Sequence, residues 1–296
     1  MISKITHNTT QKAEAFISAK LSDTLPPELY ADIKFACEQI AANKSAFFNQ
    51  YAKAARVYGK KVLTYSQTEL NNAALICKGW QPPHQIQQAV RTLFLCNLSS
   101  ANASELTDTL QQITSCGDSA EQMAIYQALA ILPWPNELMF FCTEGLRSNM
   151  ADVFESIANF NPYPYLYLSD EAFNQMVLKC VFVGKPLFRI VGLQQRCNID
   201  LARMVMDYAA ERWAAARSLS PEVWQLVTVL DVKHLPFYQK LAQSTIETEQ
   251  QAASLLFYNN ETAKKLGLFP TQQHQKQIEN NQLSWQSLGL AVLNNL

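Results

Sequence analysis

Glycine is scarce in this chain of 296 residues: it has eight, under half the usual share of about 7%. Strands joined by tight hairpins draw on glycine for positive φ, so the shortage argues against a sheet and for helices. A dominant charge is lacking as well. Lys and Arg number 24 against 25 for Asp and Glu, a formal net charge of -1. Neither nucleic acid nor an anionic membrane surface finds a global pull in such a balance. No apolar run approaches the roughly 20 residues of a membrane span; Val177 to Val183 is short and carries Lys179. The opening Met-Ile-Ser-Lys-Ile-Thr-His lacks the basic-then-apolar pattern of a secretory signal.

Familiar reaction signatures are missing too. The chain contains no glycine-rich phosphate loop, no Gly-x-Ser-x-Gly, no His-Glu-x-x-His and no Cys-x-x-Cys. Its four histidines, His7, His84, His234 and His274, are scattered, so none is expected to build a metal site, and each reads as a solvated or capping residue. The seven cysteines are an odd number, widely spaced, and set in apolar patterns such as Ala-Leu-Ile-Cys77. They are expected to be reduced core residues of a cytosolic protein.

What is present is helical patterning, with 48% hydrophobic residues and 17% charged. Ser66-Gln-Thr-Glu69 and Ser119-Ala-Glu-Gln122 fit the capping box, and Ser220-Pro221-Glu222 sets a cap before a proline at the first helical position. Phe173, Met176, Val177, Cys180, Val181 and Gly184 repeat at the spacing of one helix face; so do Ala202, Val205, Met206, Ala209, Trp213 and Ala216. The expected class is all-α: an irregular right-handed array of stacked helical pairs, HEAT- or TPR-like, with a compact bundle as the alternative. One domain is expected, with a body over 29–232 and a C-terminal helical cap over 233–296. Within that cap Gln239 to Asn260 reads as one long amide-rich helix, and the apolar last helix, from Ser284, is expected to fold back onto the body. The run Asn161-Pro-Tyr-Pro-Tyr-Leu-Tyr167 reads as a loop cover first and a ligand lid second.

The densest segment for chemistry is 174–217. Seven cations, Lys179, Lys185, Arg189, Arg196, Arg203, Arg212 and Arg217, face three anions, Asp200, Asp207 and Glu211. Ordinary ion pairs are one reading of this excess. The other is an anion-binding cleft, because guanidinium groups grip carboxylate or phosphate in a two-pronged fashion. The seven cations with Asn174, Asp207, Glu211 and Trp213 form the candidate ligand-binding set of eleven, and Tyr208 and Phe188 are candidate stacking partners for an aromatic ligand. Arg203, Asp207 and Glu211 share one helix face at spacings of four. The two carboxylates are an alternative catalytic pair, an acid and a base whose pKa values an apolar wall would split. No histidine or third carboxylate lies within helical reach, so no metal and no cofactor is expected there.

The same segment carries a resemblance. Asn174-Gln-Met-Val-Leu-Lys179, Gly184-x-Pro186-Leu-x-Arg189-Ile-x-Gly192-Leu, Asn198-x-x-Leu-Ala202-x-Met, Asp207-Tyr-Ala-x-Glu211-Arg-Trp-Ala-Ala-x-Arg217 and Ser220-Pro-Glu-x-Trp224 together resemble the EboA family. The motif spans 174–224, whereas the N-terminal part matches only in helical character. The resemblance implies a non-membrane helical protein encoded with the ebo cluster of bacteria and some algal plastids, which in cyanobacteria is associated with moving an aromatic scytonemin precursor. Family members have no established reaction. The family's histidine before Glu211 is Ala210 here, and its acidic residue is Gln194; both departures count against an enzyme. The resulting expectation is a cytoplasmic binding or scaffold protein for a small aromatic or isoprenoid-derived, anionic metabolite, with other ebo-cluster proteins as partners and no nucleic acid. A helical solenoid that grips a protein is the remaining alternative.

Overall fold

The structure is a computed structural model that describes residues 2–98, 100 and 102–294, with side chains from residue 8 onward, so His7 lies outside the described side chains. Among the described residues there is no strand; Val62 and Gln85 form an isolated antiparallel bridge. The all-α class expected from glycine scarcity and helical spacing is what the chain adopts. It divides into two compact units, Met1–Leu168 and Ser169–Leu296.

The first unit contains α1 (Ile2–Thr24), α2 (Pro27–Ala42), α3 (Lys44–Tyr58), α4 (Gln67–Ile76), α5 (Ile86–Cys96), α6 (Ala103–Cys116), α7 (Ser119–Ala128), α8 (Met139–Arg147), α9 (Ala151–Ala158) and α10 (Tyr163–Tyr167). Its centre is α5, buried from Ile86 to Leu95 and packed against α1, α2, α3 and α7. Polar groups on so buried a helix must find partners inside the protein. Thr92 Oγ1 donates to the Gln88 carbonyl at 2.9 Å. Arg91, fully buried, donates through Nε to the Tyr51 carbonyl (3.2 Å) and through Nη1 to Gln87 Oε1 (2.9 Å), and lies over the Tyr51 ring.

The Ser66–Glu69 capping box forms as expected. The second box sits one residue earlier than its sequence suggests: Asp118 Oδ1 accepts from Glu121 N at 2.8 Å, and Glu121 Oε2 accepts from Asp118 N at 3.1 Å. Asp outcompetes Ser there because its carboxylate is the stronger acceptor for free amides at a positive helix terminus. The expected loop at 161–167 is instead the short helix α10. Buried Asn161 imposes it, donating to the Tyr126 and Ser156 carbonyls (2.8 and 3.1 Å) while its Oδ1 accepts from Tyr163 N (3.0 Å).

The second unit contains α11 (Asp170–Phe182), α12 (Leu193–Arg196), α13 (Ile199–Ala214), α14 (Leu235–Ala242), α15 (Glu247–Phe257), α16 (Glu261–Lys265), α17 (Gln272–Glu279) and α18 (Trp285–Asn294). Phe173, Met176, Val177 and Cys180 are buried on α11, and Ala202, Val205, Met206 and Ala209 on α13, as their spacing requires. A 3₁₀ turn over Pro221–Leu226 is buried throughout and packs against α13, α15 and α18. The long helix expected over 239–260 is broken between Ala242 and Glu247. Ser244 Oγ accepts from Ile246 N at 3.1 Å and the Ser244 carbonyl accepts from Gln250 Nε2 at 2.6 Å, the local competition by which serine ends helices.

His274 is neither solvated nor merely a cap residue. It is buried and joins α17 to α15, with Nδ1 2.9 Å from Ser254 Oγ and Nε2 2.9 Å from Glu247 Oε1. The last helix does fold back, onto α15 and the 221–226 turn of its own unit. Gly289 allows that approach, because a Cβ there would strike the Phe188 ring and the Glu222 carboxyl. No disulfide links cysteines among the described residues; Cys142 and Cys180 are buried, whereas Cys116 is exposed rather than part of the core.

Candidate functional site in the second unit

The segment singled out by its cations is held together by an amide pair. Asn174 Nδ2 donates to Asn198 Oδ1 at 3.1 Å and Asn198 Nδ2 returns to Asn174 Oδ1 at 3.0 Å, while Asn198 Oδ1 also caps α13 by accepting from Leu201 N. Asn174 thereby registers α11 against the start of α13. Arg196 has a similar bracing role, 2.6 Å from Asp170 and 4.6 Å above the Phe173 ring. Arg189 lies over Phe188 at 5.4 Å. Lys179 is half-buried on α11.

The stripe at spacings of four on α13 faces solvent. Arg203 is 3.7 Å from Asp200, both about two-thirds exposed, and Asp207, Glu211 and Arg217 are exposed. Trp213 is stacked on Phe237 at 5.2 Å with 8° between planes, touches Trp224, and has Lys240 Nζ at 4.3 Å.

Two of the eleven expected residues, Lys185 and Arg212, line a cavity of about 370 Å³ in this unit. The end of α11 and the turn at Gly184 form one wall, Tyr208 and Arg212 of α13 a second, residues 218–223 a third, and Val292 of α18 part of the fourth. Leu187, Leu219 and Val223 make the interior apolar. Arg212 is pinned: Nε and Nη2 donate to the Ser218 carbonyl at 3.0 and 2.7 Å, which uses two of its five N–H donors, and its Cζ lies 5.9 Å from the Tyr208 ring. Tyr208 in turn rests against Phe182, centroids 4.9 Å apart.

Sequence reasoning missed Glu222, a buried carboxyl in the same wall. Its Oε1 accepts from Phe188 N at 2.8 Å. Burial nevertheless raises its pKa, outweighing the lowering by the Phe188 and Leu187 amides and by Arg189. Read locally, Ser220-Pro221-Glu222 announces only a helix start, and nothing in it signals a buried acid. A glycine inside the apolar last helix was a usable signal, since it costs about 1 kcal/mol against alanine unless a close approach requires it.

Among the described residues no group of three or more His, Cys, Asp or Glu is placed to hold a metal ion, and no helix is long and apolar enough to cross a membrane. The class is therefore an all-helical protein whose second unit carries a largely apolar cavity edged by Lys185 and Arg212. Over residues 13–228 the chain matches the family described as metabolite traffic protein EboA, and it belongs to that family. The match reaches far beyond the 174–224 motif, into the helices that showed no motif of their own. No curated protein and no solved structure matches the chain.

Proposed function

We propose that the cavity beside Tyr208, Lys185 and Arg212 holds a small aromatic or isoprenoid-derived metabolite bearing an anionic group, which the chain keeps for neighbouring ebo-cluster proteins in the cytoplasm without transforming it. One observation carries this reading: two cations stand beside a largely aliphatic lining in the wall of a cavity of about 370 Å³, against the single carboxyl of Glu222, and its size is inside the usual range of roughly 300–1,000 Å³ for ligand sites. The ring of Tyr208 offers a stacking face, the aliphatic walls take the apolar body, and Lys185 with Arg212 faces the charge. The family description supports small-molecule handling. The acid–base alternative at Asp207 and Glu211 draws no support from their placement, because both are exposed and no apolar wall separates their environments.

Titration of the purified chain with indole-3-acetate and with geranyl phosphate tests the assignment. One of the two should bind, and the Lys185→Ala, Arg212→Ala double variant should bind it at least about tenfold more weakly. Arg203→Ala, which alters only an exposed pair with Asp200, should bind as the parent does. Binding unchanged in the double variant would reject the site.

A further inference from the structure

Between Glu38 and Glu69 the chain has no aspartate or glutamate, yet it carries Lys44, Lys53, Arg56, Lys60 and Lys61. The last four of these fall within 53–61, at the end of α3 and in the segment that follows it. Elsewhere, surface cations sit beside a carboxylate within three residues of them, as Arg147 does with Glu144, Arg203 with Asp200, Lys233 with Asp231 and Lys264 with Glu261. Among the described residues no ion pair joins Lys53, Arg56, Lys60 or Lys61 to a carboxylate. The charge of Asp32 on α2 is felt at Tyr58, the end of α3, but Asp32 pairs with none of these cations.

The backbone holds the cluster in place. Lys53 has Arg56 and Val57 three and four residues on, so the three are neighbours on one side of α3. Gly59, at φ +74°, ends the helix in a left-handed conformation. The chain beyond it is tied to the start of α5: the Gly59 and Lys61 carbonyls accept from Gln87 N and Ile86 N at 3.2 and 3.0 Å, and Leu63 N donates to the His84 carbonyl at 2.8 Å. Lys60 and Lys61 are thereby fixed at the exposed surface. Val57 is 43% exposed and Val62 64%, so two aliphatic side chains stand among the four cations.

Like charges this close repel one another. The negative end of the α3 dipole offsets the repulsion for Arg56, in the last turn, but its influence fades beyond that turn, where Lys60 and Lys61 lie. A partner with a dense negative surface relieves it for all four. A nucleic acid duplex offers phosphates but nothing for the valines, whereas a bilayer with anionic headgroups offers charge at its surface and an apolar layer beneath.

We propose that residues 53–62 form a docking surface for a membrane leaflet rich in anionic lipid, with Lys53, Arg56, Lys60 and Lys61 meeting the headgroups and Val57 and Val62 entering the layer below them. Attachment of this kind is peripheral and needs no spanning helix. The net charge of -1 does not oppose it, because screening over a Debye length of about 8 Å leaves the local cluster in control.

Co-sedimentation of the full chain with vesicles of phosphatidylcholine, alone or with about one-third phosphatidylserine, tests this in about 0.1 M salt. The anionic vesicles should retain the chain at least about tenfold more strongly than the neutral ones. A cation near the surface contributes about fivefold, so the Lys60→Gln, Lys61→Gln double variant should lose at least about tenfold. Both positions are exposed, and the variant should melt as the parent does. The Val57→Ser, Val62→Ser double variant should lose about threefold or more. Lys264→Gln with Lys265→Gln removes the same charge from exposed positions of the second unit and should bind as the parent does. The proposal is overturned if neither vesicle retains the chain, if both do so equally, if either double variant of 53–62 binds undiminished, or if the Lys264, Lys265 variant loses as much. It is equally overturned if duplex DNA or polyglutamate at equal charge binds as tightly as the anionic vesicles. The comparison of the two vesicles uses the unaltered chain and holds whether or not a variant folds.

Discussion

The two units handle charge in opposite ways. In the first, a whole arginine is buried in the core, and a cavity of about 260 Å³ has Asp152 and Glu155 but no lysine or arginine among its described lining residues. In the second, a glutamate is buried and the cavity is edged by a lysine and an arginine. A charge inside a protein needs surrounding groups to make up for the water it has lost. Arg91 has neutral carbonyls and the Tyr51 ring, with Glu121 3.8 Å away; Glu222 has two backbone amides and, more distantly, Arg189. The lesson is that each buried ionisable group fixes the backbone it bonds to: Arg91 the turn of α3 at Tyr51, and Glu222 the 3₁₀ turn at Phe188.

Arg91 is the place to break the comparison hardest. Arg91→Ala removes the donors to Tyr51 and Gln87 and leaves an empty space, and should cost about 3–5 kcal/mol in denaturant unfolding. Arg91→Met, which fills the space but leaves the acceptors unmet, should cost clearly less. Equal losses would mean that hydrogen bonding, not packing, sets the cost.

Much of this architecture is legible in sequence because it depends on neighbours three and four residues apart. The faces of α11 and α13 and the Ser66–Glu69 cap are of that kind. The cavities are not. Arg91 sits in Ile-Gln-Gln-Ala-Val-Arg-Thr-Leu, where nothing local says that the helix is buried on every side. Asp170 and Arg196 meet across 26 residues, and Gly289 approaches Phe188 from a helix about a hundred positions away. A cation-rich segment therefore names candidates, but long-range packing decides that Lys185 and Arg212 line a cavity while Arg203 and Arg217 lie at the exposed surface.

Gly289 sharpens the second half of the comparison. Gly289→Val must displace the Phe188 ring and the Glu222 carboxyl, and the overpacking should cost about 1–3 kcal/mol. Indole-3-acetate or geranyl phosphate, whichever binds, should bind more weakly too, since α18 supplies Val292 to the same cavity. A loss of stability with binding intact would separate the helix from the site.

Glu222 and Glu69 give the smallest effects and the most direct contrast, because their environments move them in opposite directions. Burial raises Glu222 above the ordinary 4.5, so the folded state favours its protonated form. Its contribution to stability is full below 4.5 and is lost as pH rises through the folded value. In Glu222→Gln that decline should vanish, so the variant should gain on the parent as pH rises through this window. Glu69 of the first unit is held down to about 2, chiefly by the hydrogen bond from Lys20 and then by Ser66. Its contribution is present above 4.5 and is lost as pH falls through about 2. Lys20→Met should remove part of that acid-side loss, an effect below about 1 kcal/mol because the pair lies near the surface. Stability profiles of the two variants should thus depart from the parent on opposite sides of the ordinary glutamate range. Departure on the same side would show that burial does not dominate at Glu222, and the contrast between the units would fail at that residue.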